Sequence, residues 1–180
     1  MLKFSWPTSS QAAALAGVLA LSACTPTYDW REVRGKDAPF TALFPAKPAT
    51  HSRMVNLDGM QLTMTMTMAN ADGVTFAVGS AKMPDPVKAH AALNVMKNAL
   101  VNNIGGTITQ EKSIAIANSP VPSINIEATG TPSVGGGRPT VLFARFAAKD
   151  QWIYQAVVVG RENAMPREAV DTFFTSFRPD

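Results

Sequence analysis

The chain has 180 residues, 46% of them apolar and 16% charged, with a formal charge of +3 from 16 basic and 13 acidic side chains. So few charges among so many apolar residues exclude intrinsic disorder over most of the length, and the length suits one domain with at most a short tail. The densest basic group, Arg31, Arg34 and Lys36, is too sparse for a nucleic-acid footprint, which concentrates such residues on one face.

At the N-terminus, Lys3 precedes an apolar run, Ala12–Leu21, that ends in Ser22-Ala23-Cys24. A basic start, a ten-residue apolar core and small residues at its end describe a secretory signal peptide. A membrane-spanning helix needs about twice that apolar length. The tetrad Leu21-Ser22-Ala23-Cys24 resembles the lipobox of bacterial prolipoproteins. The resemblance implies cleavage before Cys24 and acylation of its thiol and new amino group, with residues 1–23 as signal peptide and 24–29 as a lipidated tether. Cys24 is the only cysteine, so it cannot form an internal disulfide, and an exported free thiol otherwise lacks a purpose. Ordinary secretion with an incidental Cys24 is the alternative. Thr25 stands where enterobacterial lipoproteins carry an inner-membrane retention aspartate. The outer membrane is therefore favoured over the inner, with the protein facing the periplasm.

In the folded domain, residues 30–180, Trp30–Arg34 and Phe40–Phe44 read as short strands around Gly35, the second ended by Pro45 and Pro48. Ala49–Leu57 and Met60–Ala69 flank Asp58-Gly59, a strong hairpin signal. Asp72-Gly73 turns into Val74–Ser80. Together these give a meander of about four strands. Asp85 is a helix cap and Pro86 a first helical residue. Ala89, Leu93, Met96, Leu100 and Ile104 then recur at helical spacing, with Asn94, Asn98 and Asn102 opposite and Gly105-Gly106 as the stop. Thr107–Ala117, Ser123–Thr129, Thr140–Ala148 and Gln151–Val159 read as four more strands. Trp152–Val159 is apolar on both faces and suits a central strand. A last helix, with Pro166 in its first turn, buries Val170, Phe173, Phe174 and Phe177.

The expected fold is α+β: an antiparallel sheet of about eight strands in the order ββββ-α-ββββ-α with the helices packed on it. Trp30, the Phe40–Pro45 segment with Pro48, and the closing Phe174-Thr-Ser-Phe177 resemble the PsbP-like domains of photosystem proteins and small bacterial lipoproteins. That resemblance implies a binding or assembly role without catalysis, and it brings no functional residues with it.

Chemistry-bearing patterns are few. His51 and His90 are the only near-neutral bases, and His90 sits on the flank of the first helix. Gly130-Thr-Pro-Ser133-Val-Gly135 is one residue too long for a nucleophile elbow, and no serine precedes a lysine by three positions. Gly135-Gly-Gly137 lacks the context of a phosphate loop and reads as a hairpin tip. Asp58, Asp72, Asp85 and Asp150 serve turns and caps. No enzyme is expected, a hydrolase of unknown type being the third choice, and no cofactor.

One pattern stands out. Met60, Leu62, Met64, Met66 and Met68 alternate with polar residues and share one strand face. A two-residue turn at Asp58-Gly59 pairs Leu57 with Met60, Val55 with Leu62, Arg53 with Met64 and His51 with Met66. Thioethers and imidazole suit copper(I), which makes His51, Met64, Met66 and Met68 a candidate metal set. Methionines filling an irregular core are the preferred reading, because Val55, Leu57 and Leu62 share the face and Arg53 would repel a cation. On that reading Met64 and Met66 are buried beneath a helix and His51 points elsewhere. The expected function is an anchored, non-catalytic envelope lipoprotein, held in the bilayer by acylated Cys24, that binds a protein or envelope component. A copper(I)-binding module is the alternative. No nucleic-acid partner is expected.

Overall fold

The computed structural model describes residues 27–116, 121–132 and 137–180. The expected signal peptide, Cys24, the expected Asn118-Ser-Pro turn, Ser133 and the first two glycines of Gly135–Gly137 lie outside the described residues. Among the described residues, ten strands and two helices follow in the order β1(Arg31–Arg34), β2(Phe40–Phe44), β3(Ala49–Leu57), β4(Met60–Ala71), β5(Val74–Lys82), α1(Pro86–Asn103), β6(Gly106–Ala115), β7(Pro122–Gly130), β8(Thr140–Lys149), β9(Trp152–Arg161), α2(Arg167–Ser176) and β10(Arg178–Pro179). A single 3-10 turn, Glu162–Ala164, precedes α2. The fold is α+β with antiparallel sheets and helices packed against them.

Strand number and order differ from the expectation. Five strands precede α1, and they do not form one meander. β3 to β9 make a seven-stranded sheet in the order β3-β4-β5-β9-β8-β7-β6, while β1, β2 and the two-residue β10 form a separate sheet of three. The cause lies in Pro45 and Pro48. Proline cannot donate to a ladder, so the chain leaves β2 without pairing onward. Phe40 and Phe44 of β2 are then free to face the large sheet from a second layer, where both are buried.

The tight turns follow the aspartates. Asp58, Asp72 and Asp150 all take positive φ, near 50°, as the first residues of two-residue connections, and Gly59 and Gly73 follow at 81° and 75°. That is the geometry an Asp-Gly hairpin requires. It fixes the β3–β4 register as expected: Leu57 opposite Met60, Val55 opposite Leu62, Arg53 opposite Met64 and His51 opposite Met66.

α1 begins where Asp85 accepts a hydrogen bond from the Lys88 amide at 2.8 Å. Ala89, Leu93, Met96 and Ile104 are buried and Leu100 half-buried, while Asn94, Asn98 and Asn102 are exposed. The helix covers one face of the large sheet against Phe146, Ile153 and Val157. The opposite face carries Phe76, Tyr154 and Val158, packed on β2 and α2. Phe173 is its centre, with ring centroids 5.5 Å from both Phe44 and Phe76 in edge-to-face contacts. β9 lies in the middle of the seven strands, covered on both sides, as its two apolar faces require. Tyr28 and Asp29 already hold to this body. Tyr28 stacks beside Trp30 at 5.7 Å, and the Asp29 amide donates to the Pro45 carbonyl at 2.8 Å. Among the described residues no helix is long and apolar enough to cross a membrane.

Candidate functional site

α1 leans mainly on β8 and β9, with β6 next, and touches β3 only lightly. The β3–β4 side of the same sheet face is therefore incompletely covered, and a cleft of about 520 Å³ opens there. One wall is β3, the sheet's edge strand, whose alternation directs His51, Arg53, Val55 and Leu57 to this face. The base is Met64, Met66 and Met68 of β4, and the far wall is Met96, Ala99, Leu100 and Asn103 of α1. The volume lies within the range of single-ligand pockets.

The methionine row is thus divided between core and cleft. Met64 is buried, whereas Met66 and Met68 are half-buried, and all three line the cleft together with exposed His51. The expected burial of Met66, with His51 elsewhere, does not describe this arrangement. The reason is the lean of α1 toward β8, which leaves the sheet edge open. Behind Met66 stands Gly79, its ladder partner on β5. A Cβ on Gly79 would lie 2.6 Å from the Met66 sulfur and 2.8 Å from Gln155 Cγ, so a side chain there would push one of these two side chains aside. Gln155 of β9 donates its amide to that sulfur at 3.6 Å.

The electrostatics of the cleft are one-sided. Arg53 is the one formal charge in its lining, no carboxylate lines it, and Arg53 makes no ion pair among the described residues. A copper(I) ion would have to rest on thioethers and His51. Among the described residues no three His, Cys, Asp or Glu side chains converge as metal ligands. His90 is exposed on α1 and outside the cleft lining.

A second polar feature sits on the opposite face of the sheet. Arg145 of β8 is only 8% exposed. Its Nε donates to Asn125 Oδ1 at 3.0 Å and its Nη1 to the Phe174 carbonyl at 2.7 Å, with the guanidinium 5.3 Å from the Phe174 ring centre. Desolvation lowers its pKa from the ordinary arginine value. No carboxylate pairs with it among the described residues. Its counter-charge is the carbonyl end of α2, where helix dipoles favour a cation. The feature ties α2 to the sheet. A groove of about 570 Å³ between β2 and α2 is rimmed by Glu32, Glu168 and Asp171 and has Leu43 as its one large apolar side chain.

No motif in the sequence marks Gln155 or Arg145. The signal available was one polar residue inside each of two otherwise apolar central strands, Val141–Ala148 and Trp152–Val159.

No family model matches the chain, and no curated protein matches it. Among solved structures, PA94 of Pseudomonas aeruginosa, a protein of unknown function, aligns over 78% of this chain and 89% of its own length, at 12% identity and a TM-score of 0.39.

Proposed function

We propose that the chain is a bacterial envelope lipoprotein, anchored through acylated Cys24 and facing the periplasm, with the outer membrane favoured. Its PsbP-like domain acts without catalysis and binds an envelope component in the cleft between α1 and the β3–β4 hairpin. The observation that carries the reading is the incomplete cover over Met66 and Met68. Apolar side chains that line an open cleft with a few convergent polar groups mark a binding site better than a core. The anchor rests on the Leu21–Cys24 tetrad, since several acyl chains give stable attachment where one would be marginal.

The test has two arms. Cells fed an alkynyl fatty acid should label the wild type and not Cys24→Ala, and an unlabelled wild type overturns the anchor. A photoreactive amino acid at His51 should give crosslinked adducts in intact cells that are absent when it stands at Thr175, on the far side of the molecule. Equal adducts at both positions, or none at His51, overturn the cleft as the binding site.

Copper(I) binding is the second reading. It is favoured by His51 lying directly across the ladder from Met66 in a cleft that also holds Met64 and Met68. Arg53 in the same lining counts against it.

A further inference from the structure

We infer that the cleft takes a long-chain fatty acid, its acyl chain along the methionine row and its carboxylate at Arg53. This rests on the reading of the cleft as the binding site. The charge distribution supplies the first argument. A lone arginine, unpaired among the described residues, stands in a lining with no carboxylate, and a cleft with one sign of charge attracts the other. The planar guanidinium matches a carboxylate with two parallel hydrogen bonds, and His51, two residues along the same face of β3, supplies a further donor.

The lining supplies the second argument. From Met64, the ladder partner of Arg53, the methionine row continues along β4 to Met66 and Met68, with Met96 and Leu100 of α1 also in the lining. Methionine is unbranched and adjusts to an irregular flexible chain better than a branched side chain does. The Gln155 amide in the lining donates to the Met66 sulfur, so one of its N–H groups is already occupied by the thioether row. A cleft of about 520 Å³ fits one acyl chain with its headgroup at the mouth.

The experiment uses the full acylated chain in phosphatidylcholine nanodiscs. A sixteen-carbon carboxylic acid bearing a diazirine is compared with the matching primary alcohol, and irradiated protein is mapped by peptide mass spectrometry. Light-dependent label should fall on β3, β4 and the second half of α1, and the acid should saturate at lower concentration than the alcohol. Arg53→Gln should raise half-saturation by the acid about tenfold, the effect of one lost charge-assisted interaction, and leave the alcohol unchanged. Ala99→Trp, which fills the cleft from the exposed side of α1, should remove the label from both probes. Thermal unfolding of each variant checks that it folds. Label spread over the whole surface, equal saturation by acid and alcohol, or no response to Arg53→Gln overturns the inference. If the fatty acid fails while Ala99→Trp abolishes the His51 crosslinks, the cleft stands as a binding site for another ligand. If those crosslinks survive Ala99→Trp, the cleft falls with it.

Discussion

Two buried polar side chains hold the face opposite the cleft, each with a measurable consequence. Arg145 joins β7, through Asn125, to the carbonyl end of α2. Arg145→Met would keep the volume but strip two acceptors of their donor. Both acceptors are only part-buried, and a fully buried unsatisfied acceptor costs about 1–3 kcal/mol, so chemical denaturation should show a loss of about 1–3 kcal/mol in all; a change under about 0.5 kcal/mol would mean the carbonyl finds water instead. Tyr154 is fully buried and its hydroxyl donates to the Pro39 carbonyl at 2.9 Å. Burial first, then the charges of Asp180 and Asp150, push its pKa above the ordinary tyrosine value of 10.0. The native state therefore holds this proton longer than the unfolded chain does. The corresponding stability is complete below pH 10 and declines as pH rises beyond it. At neutral pH Tyr154→Phe should lose about 1 kcal/mol with the hydrogen bond. Above pH 10 the gap between wild type and variant should narrow, and a gap constant to pH 11.5 would refute the assignment.

At the scale of elements, α2 is the most exacting test of the packing. Phe173 is fully buried between Phe44 of β2 and Phe76 of β5, so Phe173→Ala should cost about 3–5 kcal/mol. A loss below about 1 kcal/mol, read from denaturant midpoints, would show that α2 does not seat there. This helix was legible from its apolar spacing, and so were α1 from Asp85 and Pro86, the β3–β4 register from Asp58-Gly59, and the central place of β9 from its two apolar faces. These signals are local. The remaining features depend on contacts distant in sequence. The separation of β1 and β2 into a second layer is completed by β10, more than 130 residues onward in the chain. The cleft, likewise, arises from how far α1 leans toward β8. Alternation along β4 places Met66 and Met68 on a face; it carries no information on whether a helix fully covers that face.

Across the whole molecule, anything that binds only the native state stabilises the entire cooperative unit, and this separates a metal site from an apolar cleft without a structure of the complex. Copper(I) held by His51, Met64, Met66 and Met68 would raise stability by about 2.7 kcal/mol at a hundredfold excess over its dissociation constant. Met66→Leu conserves volume, so the apo protein should change by less than about 1.5 kcal/mol, yet it removes a thioether from the set. On the fatty-acid reading the pattern inverts. Copper(I) leaves the melting temperature unchanged in both proteins, the fatty acid raises it in both, and Arg53→Gln is the substitution that lowers the gain. Met66 is the discriminating position because its sulfur already has a donor in Gln155 and space from Gly79. A metal must displace the Gln155 contact, whereas an acyl chain lies against the thioether and leaves it in place. A copper-dependent rise of several degrees that Met66→Leu abolishes would transfer the cleft to metal chemistry. Its absence, alongside a fatty-acid-dependent rise sensitive to Arg53→Gln, is the expected result.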